Sequence, residues 1–169
     1  MIILGVDPGS VITGYAIIKK EKGQEPCLKV IDFGCIITDK FAGVPSGSGE
    51  RLKKIHKEIE KLIAKHKPNL ISVESVFFFK NLKTVMPVSQ TKGVILLAAA
   101  QKKIPVFEFT PLQMKMAIAG YGRAEKKQVI EMIKKSVNLD CFDLKKNNRK
   151  KDDAFDAIGM AICAAMKSY

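Results

Sequence analysis

Ile2-Ile3-Leu4-Gly5-Val6-Asp7-Pro8-Gly9-Ser10 opens the chain with five apolar or small residues, then an acid, then a turn. An uninterrupted apolar run of this length, stopped by Pro-Gly, is the pattern of a strand buried on both faces. It predicts a strand over 2–6, with Asp7 emerging where the strand ends. Thr13 to Lys19 restarts extended structure through Tyr15, Ile17 and Ile18. Leu28 to Thr38, rich in Val and Ile, reads as a third strand with a bulge expected at Gly34. Three strands in close succession imply an antiparallel meander.

Beyond it the period changes. Phe41 to Gly49 is a loop by composition, and from Glu50 to Lys65 the apolar positions Leu52, Ile55, Ile59, Leu62 and Ile63 step by three and four, as in an amphipathic helix closed by Pro68. Leu70 to Val73 is a fourth strand ending at Glu74. A helix over 84–102 follows, apolar on all sides between Gly93 and Ala100, and so needing cover on more than one side. A strand over 104–109, short helices over 112–119 and 125–136 and a final helix over 152–166 complete the series. The order βββαβαβααα predicts an α/β fold: a mixed five-stranded sheet, three antiparallel strands then two parallel, flanked by helices on both faces. No linker or repeat interrupts residues 1–169, so one domain is expected.

Twenty-nine Lys and Arg against 17 Asp and Glu give a net charge of +12. That excess points to a polyanion, either nucleic acid or an acidic membrane surface. Residues 110–151 hold eleven basic and four acidic side chains, or +7, most of the surplus. The run Val94–Ala100 is far short of the roughly 20 residues that span a bilayer, and no basic segment precedes residues 2–6, so no signal peptide is read there. Cys27, Cys35, Cys141 and Cys163 have neither CxxC nor zinc spacing, which fits reduced thiols in the cytoplasm.

Four carboxylates stand where chemistry would need them. Asp7 and Glu74 each end a buried strand. Asp153 and Asp156 are three apart at the start of the last helix and so share a face. Asp152 suits the capping position. If the first and fourth strands are neighbours, with the last helix starting above their ends, the four acids converge. Clustered carboxylates repel and resist ionisation; a divalent cation removes the conflict, and Mg²⁺ takes hard oxygen ligands. Two ions about 3.5–4 Å apart suit phosphodiester hydrolysis, with Asp7 the expected bridge. Each acid alone reads equally well as a turn or helix-start residue; the conjunction carries the argument. His56 and His66, on or beside the polar face of the first long helix, are given no chemistry.

These motifs resemble the bacterial RuvC Holliday-junction resolvases of the RNase H-like nuclease superfamily. Gly5-Val6-Asp7-Pro8-Gly9-Ser10 with Thr13-Gly14-Tyr15 is similar to the opening motif. Val73-Glu74-Ser75-Val76-Phe77 with Lys80-Asn81 is similar to the second acidic motif. Gln113-Met114-Lys115, Gly120-Tyr121-Gly122 and Ala124-Glu125-Lys126-Lys127-Gln128-Val129 are similar to the basic segment, and Asp152-Asp153-Ala154-Phe155-Asp156-Ala157 to the closing motif. The motifs keep the family's order across essentially the whole chain. The resemblance implies a homodimer that places paired symmetric nicks in a four-way junction. Asp7, Glu74, Asp153 and Asp156 would be the catalytic, metal-binding acids for two Mg²⁺, with Mn²⁺ able to substitute. Phe77, Lys80, Asn81, Lys115, Lys126 and Lys127 would contact DNA, Phe77 by stacking on unpaired bases, and a branch-migration complex would be a partner.

The residues themselves support those roles. Three consecutive aromatics, Phe77 to Phe79, cannot all face one core, so at least one is available to stack on a base. The helix over 84–102 could pack on the sheet and on a twin subunit, matching a two-fold junction. The segment Cys141–Lys151 is longer and more basic than the family pattern, and Phe78 and Phe79 are bulkier, which leaves the choice of stacking residue open. The alternatives are an RNase H-like nuclease acting on other branched DNA or on RNA, an actin-like nucleotide-binding domain, and a junction-binding module without activity. The actin-like reading lacks a second phosphate loop, and the silent module is at odds with a full set of acids.

Overall fold

The computed structural model describes residues 1–21, 27–41, 47–75, 82–139 and 151–167. Its strands are β1 (Ile2–Asp7), β2 (Ile12–Lys20), β3 (Leu28–Ile37), β4 (Leu70–Glu74) and β5 (Val106–Phe109). Its helices are α1 (Gly47–His66), α2 (Leu82–Gln101), α3 (Pro111–Ala119), α4 (Lys126–Ser136) and α5 (Lys151–Lys167), with a single 3-10 turn at Asp39–Phe41. The strands form one sheet in the order β3-β2-β1-β4-β5. β1 runs antiparallel to β2, and β2 to β3, whereas β1–β4 and β4–β5 are parallel. The expected meander and parallel pair are both present, and β1 and β4 are neighbours.

Alternation along β1 explains the two layers. Ile3 faces one side with Ala16 and Ile18 of β2, under α3, α4 and α5; Leu4 and Val6 face the other with Ile17, Ile71 and Val73, under α1 and α2. The period-three-and-four face of α1 is buried as its sequence predicts, through Ile55, Ile59, Leu62 and Ile63. α2 buries Ile95, Ala98 and Ala99 while leaving Met86 and Leu97 60% and 52% exposed, so its outer side is apolar and uncovered among the described residues. Among the described residues no helix is long and apolar enough to cross a membrane.

Two expectations need correction. The bulge in β3 is not at Gly34, which pairs in register with Tyr15. The register slips between Ile17 and Ile18, where Asp32 and Val30 are the partners and Ile31 is the extra residue. Gly34 is small for another reason: a Cβ there would lie 3.0 Å from the Tyr15 hydroxyl and 3.2 Å from its ring. Asp152 does not precede the last helix. α5 begins at Lys151, so Asp152 already lies in its first turn, where it faces Lys126 at 3.5 Å.

His66 also does more than decorate a polar face. Its side chain is only 9% exposed, and its Nε2 lies 3.1 Å from Asp32 Oδ2, tying the end of α1 to β3.

Candidate active site

Asp7 is the last residue of β1 and pairs in register with Gly14, while Glu74 ends the neighbouring parallel β4. Both therefore stand at the same edge of the sheet. By alternation from Ile3, Asp7 points to the α5 side.

The distance of α5 from that edge is set by two glycines. A Cβ on Gly5 would collide with the backbone carbonyl of Ala157, and one on Gly14 with the backbone of Asp153. The helix therefore rests directly on the strand backbones, an approach only glycine permits. Ala154, Ala157, Ala161, Ala164 and Ala165 supply a small-residue underside, and Ser72 Oγ of β4 donates to the Met160 carbonyl at 2.7 Å. With α5 seated this low, its first two turns carry Asp153 and Asp156 to the level of Asp7.

The electrostatics register that convergence. Desolvation first, then Glu74 through a hydrogen bond and its charge, then the charges of Asp156 and Asp153, together raise the Asp7 carboxyl to about 9. Burial also raises Glu74; the hydrogen bond from Asp7 opposes this, and the Asp156 charge reinforces it. Without a cation, Asp7 thus keeps its proton and donates it to Glu74. Asp156 is raised by burial, with Lys126 opposing and Asp153 and Asp152 adding to the rise. Lys126 lies 3.1 Å from Asp156 Oδ2; burial alone would lower its ammonium, but the Asp156 and Asp152 charges prevail and raise it.

This donor set suits a hard divalent cation: several carboxylates, partly withdrawn from water, share a proton and one lysine where a doubly charged ion would satisfy them all. Among the described residues no three acidic, His or Cys side chains are already closed into a metal nest. Asp7 is turned to Glu74 and Asp156 to Lys126, so three of the acids are engaged with one another or with lysine, while Asp153 is near enough to Asp7 and Asp156 for its charge to be felt by both.

The basic segment divides. Lys126 joins the acids. Lys115 instead donates to the Ala124 carbonyl at 2.7 Å, bracing α3 against the turn that delivers Lys126. Lys127 is exposed on α4. Gln113 and Gln128 serve as caps: Gln113 accepts from the Thr110 backbone N–H at 2.8 Å, and Gln128 from that of Glu125 at 2.9 Å. Phe77, Phe78, Phe79, Lys80, Asn81, Cys141 and the basic stretch 141–150 lie outside the described residues. Sequence reasoning missed Gly5 and Gly14 as the seat of α5, although a glycine inside a strand is a recognised sign of close backbone approach.

A β3-β2-β1-β4-β5 sheet with acids at the ends of β1 and β4, met by acids from a helix laid across them, defines an RNase H-like nuclease. The family model described as "Crossover junction endodeoxyribonuclease RuvC" matches residues 3–164. The chain belongs to the RuvC family. The RuvC of Alkaliphilus metalliredigens is 44% identical over 169 residues, covering 100% of this chain and 95% of that protein. The solved structure of Thermus thermophilus RuvC, 26% identical, superposes with a TM-score of 0.83 over 99% of this chain and 95% of that one. The same bacterium's RuvC in complex with a Holliday junction substrate, 22% identical, gives 0.81 over the same shares and shows the shared fold.

Proposed function

We propose that this endonuclease resolves four-way DNA junctions by paired, symmetric nicks, and that Asp7, Glu74, Asp153 and Asp156 are its catalytic acids. The observation that carries the reading is geometric: Asp7 and Glu74 end adjacent strands at one sheet edge, and the first turns of α5 are seated against that edge, an arrangement with which the raised carboxyls of Asp7, Glu74 and Asp156 agree. Family membership and the junction-bound relative of the same fold support the substrate.

The acids would hold two Mg²⁺, or Mn²⁺ in their place. Bound there, the ions supply an activated water and charge stabilisation at the leaving oxygen. The chain's own residues do the rest. With the ions bound, Asp7 would release to solvent the proton it donates to Glu74, leaving both carboxylates free to serve as ligands. Lys126 shifts from Asp156 toward the incoming phosphate, exchanging one anion for another. Lys115 holds the Ala124 turn and so keeps Lys126 in reach. Lys80, Asn81, Lys115 and Lys127 are assigned to the DNA backbone, and Phe77 to unpaired bases at the crossover.

A homodimer is supported by α2, whose exposed Met86 and Leu97 offer an apolar face that a symmetric copy could cover. We assign residues 1–169 to one domain, the enzyme to the cytoplasm, and a branch-migration complex as partner. The test is nicking of a synthetic four-way junction, mapped on all strands, with and without Mg²⁺. Metal-dependent cuts at equivalent positions on two opposed strands are expected. Equal cutting of duplex, junction and RNA–DNA hybrid would instead make the protein a general RNase H-like nuclease.

A further inference from the structure

The acids occupy only one side of this sheet edge. On the other side, between the start of α1, α2 and the β1–β2 turn, Ser10, Ser48, Arg51, Gln90 and Thr91 line a cleft of about 60 Å³. Its polar wall is made of three hydroxyls, an amide and a guanidinium, with no carboxylate. Arg51 Nε is buried there without a hydrogen-bond partner, and no acid among the described residues pairs with this side chain. A buried, unpaired donor on a fixed cation carries an uncompensated desolvation cost, and such a group calls for a counter-ion or ligand.

The surroundings say which kind. Ser48 and Arg51 sit in the opening turns of the twenty-residue α1, so the positive end of that helix adds to the guanidinium. The β1–β2 turn that brings Ser10 is pinned from both sides: Thr13 Oγ1 donates to the Gly9 carbonyl at 2.7 Å and Thr38 Oγ1 to the Ser10 carbonyl at 2.7 Å. Thr91 donates its hydroxyl hydrogen to the Pro87 carbonyl at 3.2 Å, so it shapes the cleft wall and leaves anion binding to Ser10, Ser48, Gln90 and Arg51. A cleft of this volume has room for a phosphate group. Ser10 follows Asp7 by three residues, so their Cα atoms are at most about 11 Å apart, roughly three nucleotides of rise along one strand.

We propose that this cleft binds a backbone phosphate of the cleaved DNA strand, a few nucleotides from the scissile one, with Arg51 as its principal ligand. The proposal rests on the nuclease reading above and adds a contact on the far side of the β1–β2 turn from the acids. Strand held at both places is fixed in register, so the same phosphodiester is presented to the acids at each turnover.

Salt dependence of junction binding, measured without divalent cation for the wild type, Arg51→Gln and Arg51→Lys, tests it. Losing one phosphate contact should flatten the log–log salt slope by about 0.9 in Arg51→Gln, with Arg51→Lys retaining the wild-type slope. An unchanged slope in Arg51→Gln overturns the proposal. The wild-type Arg51 Nε–H resonance, followed by NMR, removes any dependence on how the variants fold. Movement of that resonance on adding junction DNA supports the site. A resonance that moves with inorganic phosphate and not with DNA, or with neither, overturns it. A wild type that binds duplex as tightly as junction would sink the resolvase reading instead, while the slope comparison on duplex would still decide the phosphate site.

Discussion

The two faces of the sheet are built on opposite plans. Under α1 and α2 the contacts are large and branched: Leu4, Val6, Ile17 and Ile71 meet Ile55, Ile59, Leu62 and Ile95. Under α5 large side chains such as Ile3, Ile18, Phe155 and Ile158 are joined by a small, close seat, with glycines on the strands and alanines on the helix. Large side chains hold two layers together through apolar area and tolerate modest adjustment. Backbone-to-backbone contact contributes less area but sets the separation of helix and sheet tightly. The looser face therefore contributes stability alone, whereas the tight face, with Ile3, Ile18, Phe155, Ile158 and Ile162 in its own core, also sets the geometry of the acids.

The sharpest way to break this comparison is at the chemistry itself. Asp7→Asn should lower Mg²⁺-dependent nicking of a four-way junction by about a thousandfold or more, because a metal ligand is lost, while junction affinity in a gel-shift titration stays within about twofold. Cleavage near the native rate would remove Asp7 from the metal site.

Gly14→Ala comes next. The added methyl meets the Asp153 backbone and must lift the start of α5. Overpacking of this kind costs about 1–3 kcal/mol. The cleavage rate per folded molecule should fall by about tenfold or more, since misplacement by an ångström is enough to cost catalysis. A variant that is destabilised yet cuts normally would show that the low seat of α5 serves packing alone.

A smaller effect belongs to the cation-free protein. Asp7 titrates near 9 when folded against an ordinary 3.8, so between those values the folded state holds a proton that the unfolded chain releases. Stability in EDTA should fall as pH rises through that window. Asp7→Asn or added Mg²⁺ should flatten the fall, as read by denaturant midpoints at several pH values. A midpoint that climbs from pH 5 to pH 8 would mean that Asp7 is ionised in the native state.

The least effect on chemistry is expected on the loose face. Ile59 of α1, fully buried against the sheet, should cost about 2–5 kcal/mol when cut to Ala, with the rate per folded molecule unchanged at a temperature where the variant is still folded. If Ile59→Ala slowed the chemical step as much as Gly14→Ala, the division of labour between the faces would fail.

This division also explains what could be read from residues alone. Strand identity and the shared face of Asp153 and Asp156 follow from period and order, which the sequence displays openly; that β1 and β4 are neighbours entered the sequence reading only as a condition, which the sheet meets. Interlayer distance does not. Gly5 and Gly14 look like ordinary small residues in a strand until a helix backbone is found against them, and Gly34 drew a bulge that belongs at Ile31. Lys115 and Lys126 read alike as basic helix residues, yet one braces a turn and the other faces an acid, because their partners come from distant segments. Arg51 sits in an amphipathic helix start where an arginine needs no explanation, and only its buried, unpartnered Nε sets it apart.

The order of the acids along the chain has a consequence for synthesis. Residues 7 and 74 emerge from the ribosome well before 153 and 156, and the sheet face that α5 covers stays bare until then. A nascent or prematurely terminated chain lacking α5 has half of the acids and an open apolar surface. On the proposed assignment of the acids, such a chain would lack two of its catalytic side chains, so the capacity to cut DNA would arrive only when the last helix docks.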